Sequence, residues 1–229
     1  MSALHRLGAS LSRVWSQGAA SRTIAHGGAF VWGFAEGTLL FAASDLWVSS
    51  LAVHHPRRAL AAAGSAAVGA LAGGAVTYLW TRRVGDSESK FALSMVPGVD
   101  LEMVDRIRDE LRSRGWSALL TGPLRGQPYK LYARGSAVNG SPLGELLIWS
   151  VPARLPRFLA VAAGTGLMAQ TVRKALPESA AEVLIPAAFL SGWAGFSAWY
   201  FLTGPGRLSP GFGSGFGLEL PRLPLHPGR

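Results

Sequence analysis

The stretch GELLIWSVPARLPRFLAVAAG, from Gly144 to Gly164, decides the fold, because it is apolar enough for a membrane yet carries two arginines and two prolines. Arg154 and Arg157 are three residues apart, so in a helix they project from one face. An arginine at the centre of a membrane helix costs about 2.5 to 3.5 kcal/mol, whereas a leucine contributes only about 0.3 to 0.6 kcal/mol. The two arginines must therefore face protein, water or an anion.

The prolines of this stretch indicate the same polar surroundings. Pro152 and Pro156 each remove one hydrogen bond from a helix and loosen the turn before it. In a helix, the carbonyl groups of Ile148 and Pro152 then lose their donors and need water or a guanidinium group instead. We therefore predict a kinked and hydrated helix around the arginines. The alternative is that the arginines lie near the membrane surface and extend to lipid headgroups.

Composition predicts the class of the whole chain. The 229 residues are 49% hydrophobic and only 15% charged, and the mean hydropathy is +0.26. Soluble proteins contain about 25% charged residues, and here the apolar residues are concentrated in blocks. The sequence therefore predicts an all-α integral membrane protein. Cysteine is absent, so we expect neither a disulfide framework nor a thiolate metal site.

The net charge of +9 narrows the choice of partners. A basic chain favours either nucleic acid or anionic lipid. No nucleic-acid-binding pattern is present, and the basic residues flank the apolar blocks. We therefore predict membrane lipids as partners, anionic or phosphate-bearing, and no nucleic acid, while a homo-oligomer stays open.

The membrane region divides into broken and continuous apolar segments. Residues 27–53 contain two acids and residues 116–142 contain prolines and glycines, so each segment predicts a re-entrant pair of half-helices. Each broken segment precedes a spanning helix, over residues 59–80 and 143–168 respectively. Residues 182–202 predict a further spanning helix at the C-terminal side, since about 20 apolar residues cross the hydrocarbon layer.

Basic residues flank both ends of the helix predicted over residues 59–80, so they do not fix its orientation. Arg82 and Arg83 follow the helix, and two arginines and two histidines precede it. The adjacent histidines have poor geometry for one metal ion, and we interpret them as surface anchors. The residues before the helix are His54, His55, Arg57 and Arg58.

Residues 97–116 differ in character from the membrane segments. Val99, Met103, Ile107 and Leu111 recur near helical spacing, and charged residues fill the positions between them. This pattern predicts an amphipathic connecting helix outside the membrane, with its apolar face on lipid or on protein.

Two terminal segments lie outside the predicted membrane domain of residues 27–203. Residues 1–26 are basic and contain no acid, which favours a segment on the membrane surface over an organellar transit peptide or a frayed tail. Residues 204–229 are dominated by glycine and proline, so we predict a disordered tail.

The acids Glu36 and Asp45 are the expected partners of the two arginines. Two acids and two bases nearly cancel their charge. The acids could bind a proton, and Arg154 and Arg157 could hold a phosphate through paired hydrogen bonds. The sequence has no hydrolase, P-loop or zinc-protease motif, so we predict neither an enzyme nor a metal site nor a cofactor.

The order of these motifs resembles a known membrane family. FAEGTLL, beginning at Phe34, is followed by Asp45 and by a small-residue helix ending in YLWTRRVG. The second half contains GPLRGQPYKLYARGSAVNGSPLGELLIWSVPARLPRFLAVAAG, beginning at Gly122. Across residues 30–202 the chain resembles the DedA or VTT-domain family (SNARE-associated Golgi proteins), and in particular its small YqaA-like branch.

The resemblance implies two re-entrant elements that face each other in the membrane. Relatives are linked to undecaprenyl phosphate recycling in bacteria and to phospholipid scrambling in eukaryotes. The resemblance assigns acidic roles to Glu36 and Asp45 and basic roles to Arg154 and Arg157. It also places three residues in the second re-entrant motif: Pro128, Lys130 and Gly135.

Three functions remain in competition at this point. The leading hypothesis is a transporter that moves phospholipid or polyprenyl phosphate between leaflets, with coupling to protons. The second is a proton-coupled transporter of a small ion or solute, and the third is a membrane scaffold in which the arginines form structural salt bridges. The expected location is a bacterial inner membrane, with an organellar membrane as the alternative.

Overall fold

The computed structural model describes residues 21–38 and 44–202, with only the backbone at positions 123 and 124. Within these ranges the chain is helical and has no β-strand. A 3₁₀ turn, Gly122–Arg125, links two of the helices. The α-helices are α1 (Arg22–Gly37), α2 (Ser44–His54), α3 (Pro56–Val84), α4 (Asp86–Ser94), α5 (Leu101–Arg114), α6 (Trp116–Thr121), α7 (Tyr129–Val138), α8 (Leu143–Ala175) and α9 (Glu178–Leu202).

Three helices of the described part, α3, α8 and α9, are long and apolar enough to cross a membrane. At about 1.5 Å per residue they extend over about 44, 50 and 38 Å, and a hydrocarbon layer is about 30 Å thick. The prediction of an all-helical chain with three membrane-crossing helices is confirmed at this level. The α9 helix lies at the periphery and packs mainly on α8.

Glycines bring α1 into close contact with α3. An added Cβ at Gly33 would lie 2.2 Å from the carbonyl oxygen of Ala66, and one at Gly69 would lie 2.1 Å from that of Phe30. A larger side chain at either glycine would force the two backbones apart. The small side chains between positions 59 and 80 therefore allow the C-terminal end of α1 to lie close to the centre of α3.

The α1 and α2 helices are too short to cross a membrane. They measure about 24 and 16 Å along their axes, and they are joined by residues 39–43, which lie outside the described ranges. Both helices pack against α3. The predicted interruption of residues 27–53 is thus present as two separate helices.

The α4 and α5 helices form a unit that we call the cap. The apolar face of α5 packs on α7 and α6. At the N-terminus of α5, the side chain of Asp100 accepts a hydrogen bond of 2.6 Å from the backbone amide of Met103. The predicted amphipathic helix is confirmed, and its apolar face lies on protein. The buried residues of this face are Met103, Val104, Ile107 and Leu111.

The second broken segment forms α6, the 3₁₀ turn and α7, as expected for a stretch interrupted by proline. The α7 helix begins after Pro128, whose backbone is extended. Residues 129–137 are all buried, because α7 lies among α3, α5 and α8. This short helix therefore belongs to the interior of the protein.

The α8 helix continues from Leu143 to Ala175 through both of its internal prolines. Its buried positions recur every three or four residues, which places one face toward the other helices. Arg154 and Phe158 lie on that inward face. The helix therefore carries an arginine into the packed interior instead of toward the surrounding medium.

The first described helix overlaps the end of the basic segment predicted over residues 1–26. The α1 helix begins at Arg22, so residues 22–26 of that segment are helical. The helix can start there because Ala25 and Ala29 pack into the apolar cluster with α2 and α3. Residues 1–20 and the predicted tail of residues 204–229 lie outside the described residues.

Candidate functional site

The centre of the molecule contains an ion pair between Glu36 and Arg154. Glu36 lies at the C-terminal end of α1, and its Oε1 contacts Nη2 of Arg154, from the middle third of α8. The arginine is only 1% exposed and the glutamate side chain 16% exposed. The pairing expected from the sequence is therefore present, and it is almost completely removed from the surface.

The second oxygen of Glu36 ties α1 to α2. Its Oε2 accepts a hydrogen bond of 3.0 Å from the backbone amide of Ser44 and another from the Ser44 hydroxyl. Ser44 is the first residue of α2. One carboxylate thus connects three helices, so any movement of α1 or α2 must break or rearrange its contacts.

A second ion pair lies beside the first. Asp45, in the first turn of α2, contacts Nη2 of Arg157 on α8 through its Oδ2. Asp45 is buried, while the Arg157 side chain is partly exposed. We call Glu36, Asp45, Arg154 and Arg157 the charge cluster. Its formal charges sum to zero, which reduces the cost of placing it within a membrane.

Aromatic rings enclose the buried arginine of the charge cluster. The guanidinium carbon of Arg154 lies 5.0 Å from the ring centre of Tyr129 and 4.9 Å from that of Phe158. Such contacts stabilise a desolvated cation through the negative faces of the rings. The Tyr129 hydroxyl is also 2.7 Å from Oγ of Ser150, and Gly74 leaves space on α3 for the Tyr129 ring.

Two polar atoms of the charge cluster take no part in these contacts. Asp45 Oδ1 and Arg154 Nε are both buried and have no hydrogen-bond partner among the described residues. The first can accept a hydrogen bond and the second can donate one. A buried acceptor and a buried donor on opposite charges are therefore available for a further polar group.

The residues of the predicted second re-entrant motif lie in different surroundings. Lys130 is 2% exposed, and burial lowers the pKa of its ammonium group to about 8, although the charge of Glu36 opposes this shift. Pro128 precedes α7, and Gly135 packs against α5, where an added Cβ would lie 3.4 Å from Cα of Arg108. Of these three residues, Lys130 is therefore the one that interacts electrostatically with the charge cluster.

Sequence reasoning missed four residues that support the charge cluster. Ser44 directly precedes Asp45, and Phe158 follows Arg154 by one helical turn, so their proximity to the cluster could have been recognised. Tyr129 is adjacent to Lys130, and its contact with Arg154 depends on how α7 packs against α8. The fourth residue is Ser150, one turn before Arg154.

Within residues 21–38 and 44–202, no three His, Asp or Glu side chains lie close enough together to hold a metal ion. Comparison with protein-family models, curated proteins and solved structures finds no match to this chain. The likeness to the DedA or VTT-domain family therefore rests on the motifs alone, and the site must be argued from its own geometry.

Proposed function

We propose that this chain is a DedA/VTT-type membrane transporter that moves phosphate-bearing lipids between leaflets, and that the charge cluster binds the lipid phosphate. The position of the cluster supports this proposal. Arg154 and Arg157 lie in the middle third of α8, one of the helices long and apolar enough to cross a membrane. Charged groups at such a depth commonly mark the path of a substrate or a proton.

One observation carries the proposal more than any other. The two arginines already contact carboxylates, yet Asp45 Oδ1 and Arg154 Nε have no partner among the described residues. A guanidinium group binds phosphate through paired hydrogen bonds. A lipid phosphate could therefore use Nε and displace Glu36 from the same arginine, without leaving that cation unpaired.

Displacement of an acid provides a route for proton coupling. When phosphate takes over Arg154, Glu36 loses the charge that stabilises its ionised form, so it binds a proton more readily. Loss of that proton would restore the ion pair and release the phosphate. Binding of lipid and of a proton would then be linked through one carboxylate.

The short helices provide the proposed path. We assign α1 and α2 as the first re-entrant element, and α6 with α7 as the second. Their lengths support this, since about 9 to 24 Å does not reach across the hydrocarbon layer. Both elements contribute to the charge cluster or its aromatic surroundings. Lipid headgroups would move between them, in a bacterial inner membrane.

A membrane scaffold is the second candidate function. The favouring observation is that each acid of the charge cluster contacts an arginine, as in a structural salt bridge. Under this alternative, lipid movement should not occur at all, whereas a greater loss of stability on removing one partner than on removing both is expected under either function.

The proposal can be tested by lipid translocation in proteoliposomes. We would compare wild type with Arg154→Ala/Arg157→Ala, using labelled phospholipid and labelled undecaprenyl phosphate. The matched control is Arg112→Ala/Arg114→Ala, which removes the same charge from two exposed residues of the cap. Each variant is first checked for membrane insertion and for a monodisperse elution profile.

The proposal predicts lipid movement by wild type and by the control, and its loss in the cluster variant. Unchanged movement in a correctly inserted cluster variant would contradict it. If wild type moves neither lipid but shows substrate-dependent proton flux, the chain is a solute transporter. If it shows neither activity, the scaffold is favoured.

A further inference from the structure

A cavity of about 290 Å³ lies at the corner where α2 ends and α3 begins, away from the charge cluster. Its walls come from the end of α2, the first turn of α3 and the C-terminal part of α8. The lining residues are His54, His55, Pro56, Arg57, Arg58 and Gln170.

A close contact between helices lies next to the cavity, at its lining residue Pro56. An added Cβ at Gly166 would lie 2.7 Å from Cβ of Pro56 and 3.5 Å from the carbonyl oxygen of Ala52. Glycine at this position therefore lets α8 approach the α2–α3 corner. Gln170 is one helical turn further along α8 and also lines the cavity.

Most of the residues that line the cavity are basic. Two arginines and two histidines line it, and none of its lining residues is acidic. A fifth basic residue, Arg173 of α8, lies close enough to act on His54, whose pKa is lowered first by burial and then by the charge of Arg173. Such a concentration of basic groups attracts an anion.

The cavity and the charge cluster lie at different positions along α2 and α8. Asp45 and His54 are nine residues apart on α2, which corresponds to about 14 Å along the helix. Arg157 and Gln170 are 13 residues apart on α8, or about 20 Å. The cavity is thus near the ends of two candidate membrane helices, α3 and α8, where lipid headgroups are expected.

We propose that this cavity binds the phosphate of an anionic lipid headgroup. Ligand pockets usually measure about 300 to 1,000 Å³, so a cavity near the lower limit accommodates a headgroup phosphate but not a whole lipid. The position at the ends of membrane helices favours a lipid over soluble phosphate as its source. This binding site does not depend on transport through the charge cluster.

The test measures lipid binding by the full chain in detergent micelles, using native mass spectrometry and titrated phosphatidylglycerol. Phosphatidylcholine is the reference lipid, and inorganic phosphate is titrated separately. The variant is Arg57→Gln/Arg58→Gln. The matched control is Arg82→Gln/Arg83→Gln, which removes the same charge from the opposite end of α3.

We expect the variant, which loses two basic residues, to lower the affinity for phosphatidylglycerol about thirtyfold, since each basic residue near anionic lipid contributes about 1 kcal/mol. The control should change the affinity of the cavity less than about twofold, because Arg82 and Arg83 lie at the other end of α3 and do not line it. Equal losses in both variants, or no loss in either, would overturn the proposal.

Two further measurements separate the remaining outcomes. Gln170→Leu leaves the charge unchanged and should lower the affinity about threefold, because one hydrogen-bonding group is lost. This variant therefore tests the cavity even if the double variant does not fold. Inorganic phosphate that binds as tightly as phosphatidylglycerol would show that the ligand is soluble phosphate, and would overturn the assignment to a lipid.

Discussion

The charge cluster and the cap both contain acids in contact with basic side chains, but their surroundings differ. In the cap, Lys90 lies 2.5 Å from Asp105 and Arg106 lies 2.9 Å from Glu102, with side chains between 29% and 84% exposed. In the charge cluster, Arg154 is almost fully buried between two aromatic rings. The free energy of unfolding that is lost with an ion pair therefore depends on how well solvent can replace the missing partner.

The largest effect is expected where a buried charge loses its partner. Glu36→Ala leaves Arg154 without its carboxylate in the interior, and we expect a loss of about 3 to 5 kcal/mol in the free energy of unfolding. Equilibrium unfolding of the purified protein by denaturant would measure it. Glu102→Ala, in an exposed pair of the cap, is the matched control. Similar losses in both variants would remove the distinction between the two regions.

An intermediate effect is expected where the cap meets the interior. Arg134 on α7 is fully buried and contacts the carboxylate of Asp86, which is half exposed, and it also donates a 3.1 Å hydrogen bond to Ser89. Asp86→Asn should cost about 1 to 3 kcal/mol, because a buried guanidinium loses its charged acceptor. Thermal unfolding would measure the change, and Asp109→Asn on the exposed face serves as control. A loss no greater than that of the control would contradict the prediction.

A pH-dependent effect is expected at Lys130. Its pKa is about 8 in the folded protein and 10.5 without the protein environment. Between these values the unfolded chain binds more protons, so stability should rise as the pH increases from 8 toward 10.5. Lys130→Met should reduce this rise, as measured by the melting temperature across that range. Identical pH profiles for wild type and variant would show that Lys130 is not responsible.

The smallest effect is expected at the partly exposed pair of Lys90 and Asp105. Lys90→Ala should cost about 0.2 to 1 kcal/mol at neutral pH. The hydrogen bond from Lys90 lowers the pKa of Asp105 below 3.8, so this contribution is present above pH 3.8 and disappears as the pH falls through the lowered value. Melting temperatures of both proteins at neutral and acidic pH would test this. A difference that persists in strong acid would contradict the assignment.

The membrane helices and the pairing of the charges could be predicted because local properties determine them. An apolar run of sufficient length predicts a crossing helix, and the cost of Arg154 in such a helix requires a partner nearby. Glu36 and Asp45 were expected partners, since they lie within another apolar segment. The structure pairs Glu36 with Arg154 and Asp45 with Arg157.

The supporting contacts could not be predicted, because they depend on packing between helices distant in sequence. Tyr129 reaches Arg154 only because α7 lies between α3 and α8. His54 and His55 were interpreted as surface anchors, and the cavity that they line appears only when Gly166 brings α8 to the α2–α3 corner. Helix-to-helix register of this kind leaves no local signal in one sequence.

The measurement that tests the central claim most directly is lipid translocation by Glu36→Gln/Arg154→Gln in proteoliposomes. Removing both charges leaves neither of them buried alone, so the variant should fold and insert. If the charge cluster is the transport site, the folded variant should not move phospholipid or undecaprenyl phosphate, although wild type does. Translocation at the rate of wild type by the folded variant would contradict this account, because the ion pair would then be structural.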